Sequence, residues 1–155
     1  ALKRLVSDIP NIKISLSLLG LADDTLQEYI SYLRLDSYVK LLKPVAYGDS
    51  IKVLSDHDVA VIFEAPCEEG IFLPTKVSDY MQSGVNIFAV SPCVGVLNDL
   101  FRNSKIGYFA DITDENAIYS ELKRLYDDFV ANSLFVPTIA EDYLDNNVID
   151  KYLKF

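Results

Sequence analysis

The residues best suited to chemistry lie in one stretch, EAPCEEGIFLPTKVSDYMQSG over 64–84. A glycine-containing loop that feeds a helix presents unpaired backbone N–H groups at the positive end of a dipole, an arrangement that suits a diphosphate. Thr75 and Lys76 fall where the first helical turn should begin, and Lys76 would add a compact positive charge there. Asp79, one turn further on, offers a carboxylate that accepts hydrogen bonds from a ribose diol. The chemistry expected is the gripping of an anionic nucleotide from both ends.

Other reactive types carry less. His57 is the single histidine and stands beside Asp58, but both precede an apolar strand, so a structural place is expected for them. Glu68 and Glu69 read first as solvated loop carboxylates, and Tyr80 and Met81 as helix packing. Cys67 and Cys93 show no CxxC or Cys/His metal spacing, which predicts free thiols in a reducing compartment. No metal-ligand cluster and no cofactor motif is apparent.

The elements that must position this stretch follow from periodicity. Apolar runs at Ile12–Leu19, Tyr38–Leu42, Asp58–Phe63, Asn86–Val90 and around Tyr108-Phe109 predict strands. Between them, amphipathic segments predict helices over Asp24–Leu35, Asp49–Leu54, Thr75–Gln82, Val94–Phe101 and Asp114–Phe129. Leu26, Tyr29, Ile30 and Leu33 should face the core in one helix, with Asp24 and Gln27 as its capping pair. Ile118, Leu122, Leu125 and Phe129 should do so in the last, and Gly84 should end the Thr75–Gln82 helix in a left-handed cap. The near-continuous run DVAVIF is typical of a strand covered on both faces. Alternation of this kind predicts an α/β fold, a Rossmann-like parallel sheet of about five strands with helices on both faces.

With 155 residues, 50% of them apolar and 24% charged, the chain suits one folded domain with a real core. It is expected to divide into an α/β core over 1–135 and a helical segment over 136–155, where Tyr143, Leu144, Val148, Ile149, Tyr152 and Leu153 offer packing. Lys plus Arg is 14 and Asp plus Glu is 23, so the net charge is 14 − 23 = −9. That sign argues against nonspecific nucleic-acid binding, which rewards clustered cations. No apolar run approaches a membrane span and no leader is apparent, so a cytoplasmic location is the expectation. Leu2, Leu5, Val6 and Ile9-Pro10 look like the end of a helix with no strand before it, as though a first βα unit were missing.

The 64–84 stretch resembles the donor-site signature of the group-one (family four) GT-B glycosyltransferases, and specifically their C-terminal, donor-binding domain. EGIFLP over 69–74 is similar to the acid-Gly-Phe-Gly-Leu-Pro part, and PTKVSDYMQSG over 74–84 to the Pro-Ser/Thr-Lys variant with its acid-Tyr and glycine turn. Weaker similarity extends over roughly positions 2–130, upstream through VKLLKPVAYGDSIKVLSDHDVAVIF and downstream to Leu125. The resemblance implies a site for a nucleoside diphosphate sugar at Glu69, Gly70, Phe72, Leu73, Pro74, Thr75, Lys76 and Asp79, with Pro44 and Val45 near the nucleobase. It also implies sugar transfer to an acceptor held by an N-terminal domain absent here, without metal or cofactor, and with peripheral membrane association of the parent enzyme. Catalytic residues are not assigned, and the fragment alone should be inactive.

Two departures stand out. Glu69 and Asp79 are separated by nine positions, wider than the family pattern, and Phe72 occupies a place usually held by glycine. Asp79 is favoured for the second acid because its spacing to Gly84 fits. A noncatalytic Rossmann-like binding or interaction domain remains the alternative, with half of a sugar-nucleotide epimerase as a further enzyme reading.

Overall fold

The computed structural model describes residues 1–103 and 106–135, so the helical segment expected over 136–155 lies outside the described residues. In chain order it contains α1 (Leu2–Asp8), β1 (Leu16–Leu19), α2 (Asp24–Tyr32), β2 (Val39–Leu42), α3 (Tyr47–Ser55) and β3 (Val59–Phe63). Then come α4 (Lys76–Ser83), β4 (Asn86–Ser91), α5 (Val96–Asn103), β5 (Gly107–Asp111) and α6 (Glu115–Val130). Helices and strands alternate and every strand pair is parallel, so the chain is α/β and Rossmann-like. It divides into two compact units, one over Ala1–Val53 and one from Leu54 onward, with the division falling inside α3.

The expected single sheet is instead two, ordered β1-β2 and β3-β4-β5. A local apolar run specifies that a strand forms, whereas its ladder partner is a long-range matter that periodicity does not encode. In the first unit, β1 and β2 pair from Leu16↔Val39 to Leu19↔Leu42, and Leu5, Ile12, Ile30 and Leu35 are buried. Asp23, not Asp24, caps α2: its backbone is extended and its carboxylate accepts the Leu26 N–H at 2.9 Å. Asp24 is already helical and cannot take that role. Tyr29 is exposed rather than buried, because Leu26, Ile30 and Leu33 follow the 4-then-3 spacing of one stripe and Tyr29 lies about 100° round from Ile30.

The second unit has three layers. Alternation along β4 sends Ile87 and Ala89 to one face, where Ile62, Val77, Met81, Leu97 and Leu100 cover them from β3, α4 and α5. Phe88 and Val90 go to the other face, packed with Tyr108, Ala110 and Leu125 of β5 and α6. Burying a side chain such as Ile87 or Leu97 in this way is worth about 1.5–3 kcal/mol. Ile118 and Leu122 join the α6 stripe, but Phe129 is 42% exposed. The 16 residues of α6 run about 24 Å, longer than the roughly 17 Å of a five-residue strand, so the last turn overshoots the sheet. Gly84 ends α4 with φ +70°, the left-handed cap expected of it.

Candidate functional site

In an open parallel sheet ligands gather beyond the carboxyl ends of the strands. Here those ends are Phe63, Ser91 and Asp111, and the loops that leave them approach one another. Glu64, one step past β3, extends the ladder through its N–H to the Val90 carbonyl at 3.1 Å, and its carboxylate accepts the hydroxyl of the buried Ser91. Further along the loop Gly70 pairs with the β4–α5 loop: its N–H donates to the Val94 carbonyl and its carbonyl accepts the Val96 N–H, both at 2.9 Å. The approach requires glycine at Gly95, which has φ +135° and where a Cβ would collide with the Gly70 carbonyl. Asn98, buried on α5, donates to the Cys93 carbonyl at 2.6 Å and fixes the same loop from below.

A cleft of about 470 Å³ opens beside this bridge, lined by Pro66, Cys67, Glu68, Pro92, Cys93, Val94, Asp111 and Thr113. The volume is within the usual range of small-molecule sites. Asp111 accepts the Thr113 N–H at 2.9 Å and its hydroxyl at 2.8 Å, and these donors, with the Cys93 thiol, hold its carboxyl below the usual carboxylate range. The Cys93 thiol is pushed up, by local desolvation first and then by Asp111, and therefore stays protonated. Cys67 donates weakly to the Glu69 carbonyl at 3.4 Å, and both cysteines are free thiols, as expected. The charged groups lining the cleft are both acidic, so its walls suit hydroxyl-rich or cationic ligands better than phosphate.

None of the site residues expected from the sequence lines this cleft. Glu69 is exposed in the loop and Gly70 is buried in the bridge. Phe72 is 77% exposed, whereas Leu73 packs on the core between the sheet, α4 and α5, and Pro74 is half-buried. The Pro74 carbonyl accepts the Val77 N–H at 3.0 Å, which opens α4 with a tight turn. Thr75 gives that helix no side-chain cap, and both Thr75 and Lys76 are exposed at its start. Val77 and Met81 are the buried stripe of α4, so Asp79, two positions past Val77, lies about 200° round from it and is half-buried. Its charge and, before that, burial push the neighbouring Tyr80 phenol up. Pro44 and Val45 are exposed in the loop after β2, within the first unit.

His57 lies ahead of β3, at the amino end of that strand and away from the cleft. Sequence reasoning missed Glu64, Ser91, Cys93, Gly95 and Asp111. Their signal was a polar residue at the carboxyl end of each strand, Glu64 just past β3, Ser91 closing β4 and Asp111 closing β5, with Cys93 and Gly95 in the loop after β4, the end at which a doubly wound sheet places its ligands. Among the described residues no group of three or more His, Cys, Asp or Glu side chains could hold a metal ion, and no helix is long and apolar enough to cross a membrane. No protein-family model and no curated protein matches the chain.

Proposed function

We infer that this chain is the nucleotide-sugar-binding domain of a glycosyltransferase, which grips the nucleoside diphosphate of a donor sugar while an acceptor is held by another domain. The observation that carries the reading is the loop between β3 and α4. It leaves the carboxyl end of the edge strand β3, is pinned at Gly70, and delivers the uncapped start of α4 with Thr75, Lys76 and Asp79 in order along it. Backbone N–H groups near Thr75 and Lys76 would meet the diphosphate, and Lys76 would add charge where the leaving group gains it. Asp79 would accept from the ribose hydroxyls. The cleft beside the loop, with Glu68 and Asp111, would face the sugar's hydroxyls. Interactions that strengthen as the diphosphate departs are those that accelerate transfer.

A noncatalytic binding domain is the second reading, favoured by the solely acidic charge of the cleft lining and by exposed Phe72 in the loop. Ligand-observed magnetic resonance with uridine, guanosine and adenosine diphosphates separates the two. Saturable binding of one diphosphate, competed by its nucleotide sugar, is expected of the transferase; silence from all three would leave the noncatalytic reading standing.

A further inference from the structure

We propose that Glu64 is a positioning residue of this site: with Ser91 it holds the loop that carries Gly70, and does so as a hydrogen-bond acceptor rather than as a charge presented to the ligand. The proposal rests on the glycosyltransferase reading only for what the loop receives. The ladder bond from Glu64 N–H to the Val90 carbonyl places Glu64 beside the last residue of β4, with its side chain on the face shared by Ile62, Ala89 and Ser91. Ser91 is 1% exposed, so its hydroxyl needs an internal partner, and the Glu64 carboxylate supplies it. The Ser91 carbonyl in turn accepts the Ile112 N–H at 3.0 Å, tying the pair to the segment leaving β5.

Gly70 turns its side-chain side to this carboxylate. A Cβ at Gly70 would stand 3.2 Å from Glu64 Oε2 and 3.6 Å from Oε1, so the space beside its α-carbon is the space the carboxylate occupies. Its N–H and carbonyl are taken by Val94 and Val96. Gly70 is therefore bonded to the segment around Gly95 and backed by Glu64, and it is the only buried residue between Glu64 and Val77. From Gly70 the chain runs through exposed Ile71 and Phe72 to a further anchor at Leu73, which packs on the core ahead of α4. Removing the acceptor leaves the Ser91 hydroxyl without its partner and Gly70 without its support, which frees the loop while the hydrophobic layers of the sheet remain.

The test uses Glu64→Gln, Glu64→Ala and Ser91→Ala in the whole chain. Amide exchange is measured at Gly70 and Val96, whose N–H groups make the bridge, and at Ile87 and Ala89 in the core, alongside titration with uridine and guanosine diphosphates. In the two alanine variants, exchange at Gly70 and Val96 should accelerate about tenfold or more with core amides unchanged, and the diphosphate that binds should weaken by about tenfold. Glu64→Gln, which keeps an acceptor for Ser91, should stay within about twofold of the native chain in both measurements. Unchanged exchange at Gly70 in the alanine variants would overturn the proposal. So would a glutamine variant that binds as poorly as Glu64→Ala while its exchange stays native, because the charge would then be meeting the ligand. Should none of the uridine, guanosine and adenosine diphosphates bind the native chain, the glycosyltransferase reading fails by itself, and the exchange rates alone decide whether Glu64 holds the loop.

Discussion

At the scale of single residues, Asp79 and Tyr108 make opposite kinds of claim. Asp79 is half-buried on the first turn of α4, off the stripe that packs on the sheet. Asp79→Asn keeps its size and removes its charge, and a charge-assisted hydrogen bond is worth about 1.5–3 kcal/mol. Calorimetric titration should therefore show nucleoside diphosphate affinity falling by roughly one to two orders of magnitude. Glu68→Gln should change it far less, and equal affinity in the Asp79 variant would move the ribose role to Glu69. Tyr108 belongs to stability instead: its hydroxyl donates to Asp128 at 2.9 Å, and Arg124 stands 4.9 Å from the centre of its ring. Burial first, then the Asp128 hydrogen bond, pushes the phenol up. A group whose folded value is raised contributes fully below its unfolded value and loses that contribution as pH rises through the folded one. Tyr108→Phe should cost about 1 kcal/mol at neutral pH, and above about pH 10 the gap to the native chain should narrow. Denaturation curves that fall in parallel with pH would refute this.

At the scale of elements, the termini of helices separate what the sequence made legible from what it did not. Asp114 was readable as the start of the last helix, and its carboxylate accepts from the Asn116 and Ala117 N–H groups at 2.8 and 3.1 Å. Asp114→Ala should cost about 1 kcal/mol, as loss of an N-cap does. Asp24→Ala should stay within about 0.5 kcal/mol of the native chain, because Asp23 holds the cap of α2. Reversed costs in urea denaturation would contradict the assignment of both caps. Asn86–Ser91 was legible because a buried parallel strand is an unbroken apolar run, and Gly84 because a left-handed residue closes α4 without strain; Val59–Phe63 also forms a strand, but at the sheet edge with Phe63 exposed rather than covered on both faces. The division of five strands into two sheets was not legible, nor was the meeting of Gly70 with Gly95. Both depend on which segments come side by side, and no local period records that. Glu64, Ser91 and Asp111 were hidden for the same reason: each is an ordinary polar residue in the sequence, and only the shared register of β3, β4 and β5 brings them to one end of a sheet.

In the molecule as a whole, the chain is an α/β protein whose candidate site lies at one end of the three-stranded sheet. The layered core around β4 supports that end, and the loops leaving β3, β4 and β5 form it. A net charge of −9 does not oppose an anionic ligand there, since attraction at the start of a helix is local and distant charges are screened within about 10 Å at ordinary ionic strength. Nucleotide binding at the β3–α4 loop is what the proposed function requires first. The most direct measurement is a titration of the isotope-labelled chain with uridine and guanosine diphosphates, following backbone amide shifts. Saturable shifts are expected for one of them, concentrated in residues 69–79 and extending to the Val94–Val96 segment bonded to Gly70. No saturable shift with either, or shifts centred on the amino ends of the strands near His57 and Val85, would contradict it.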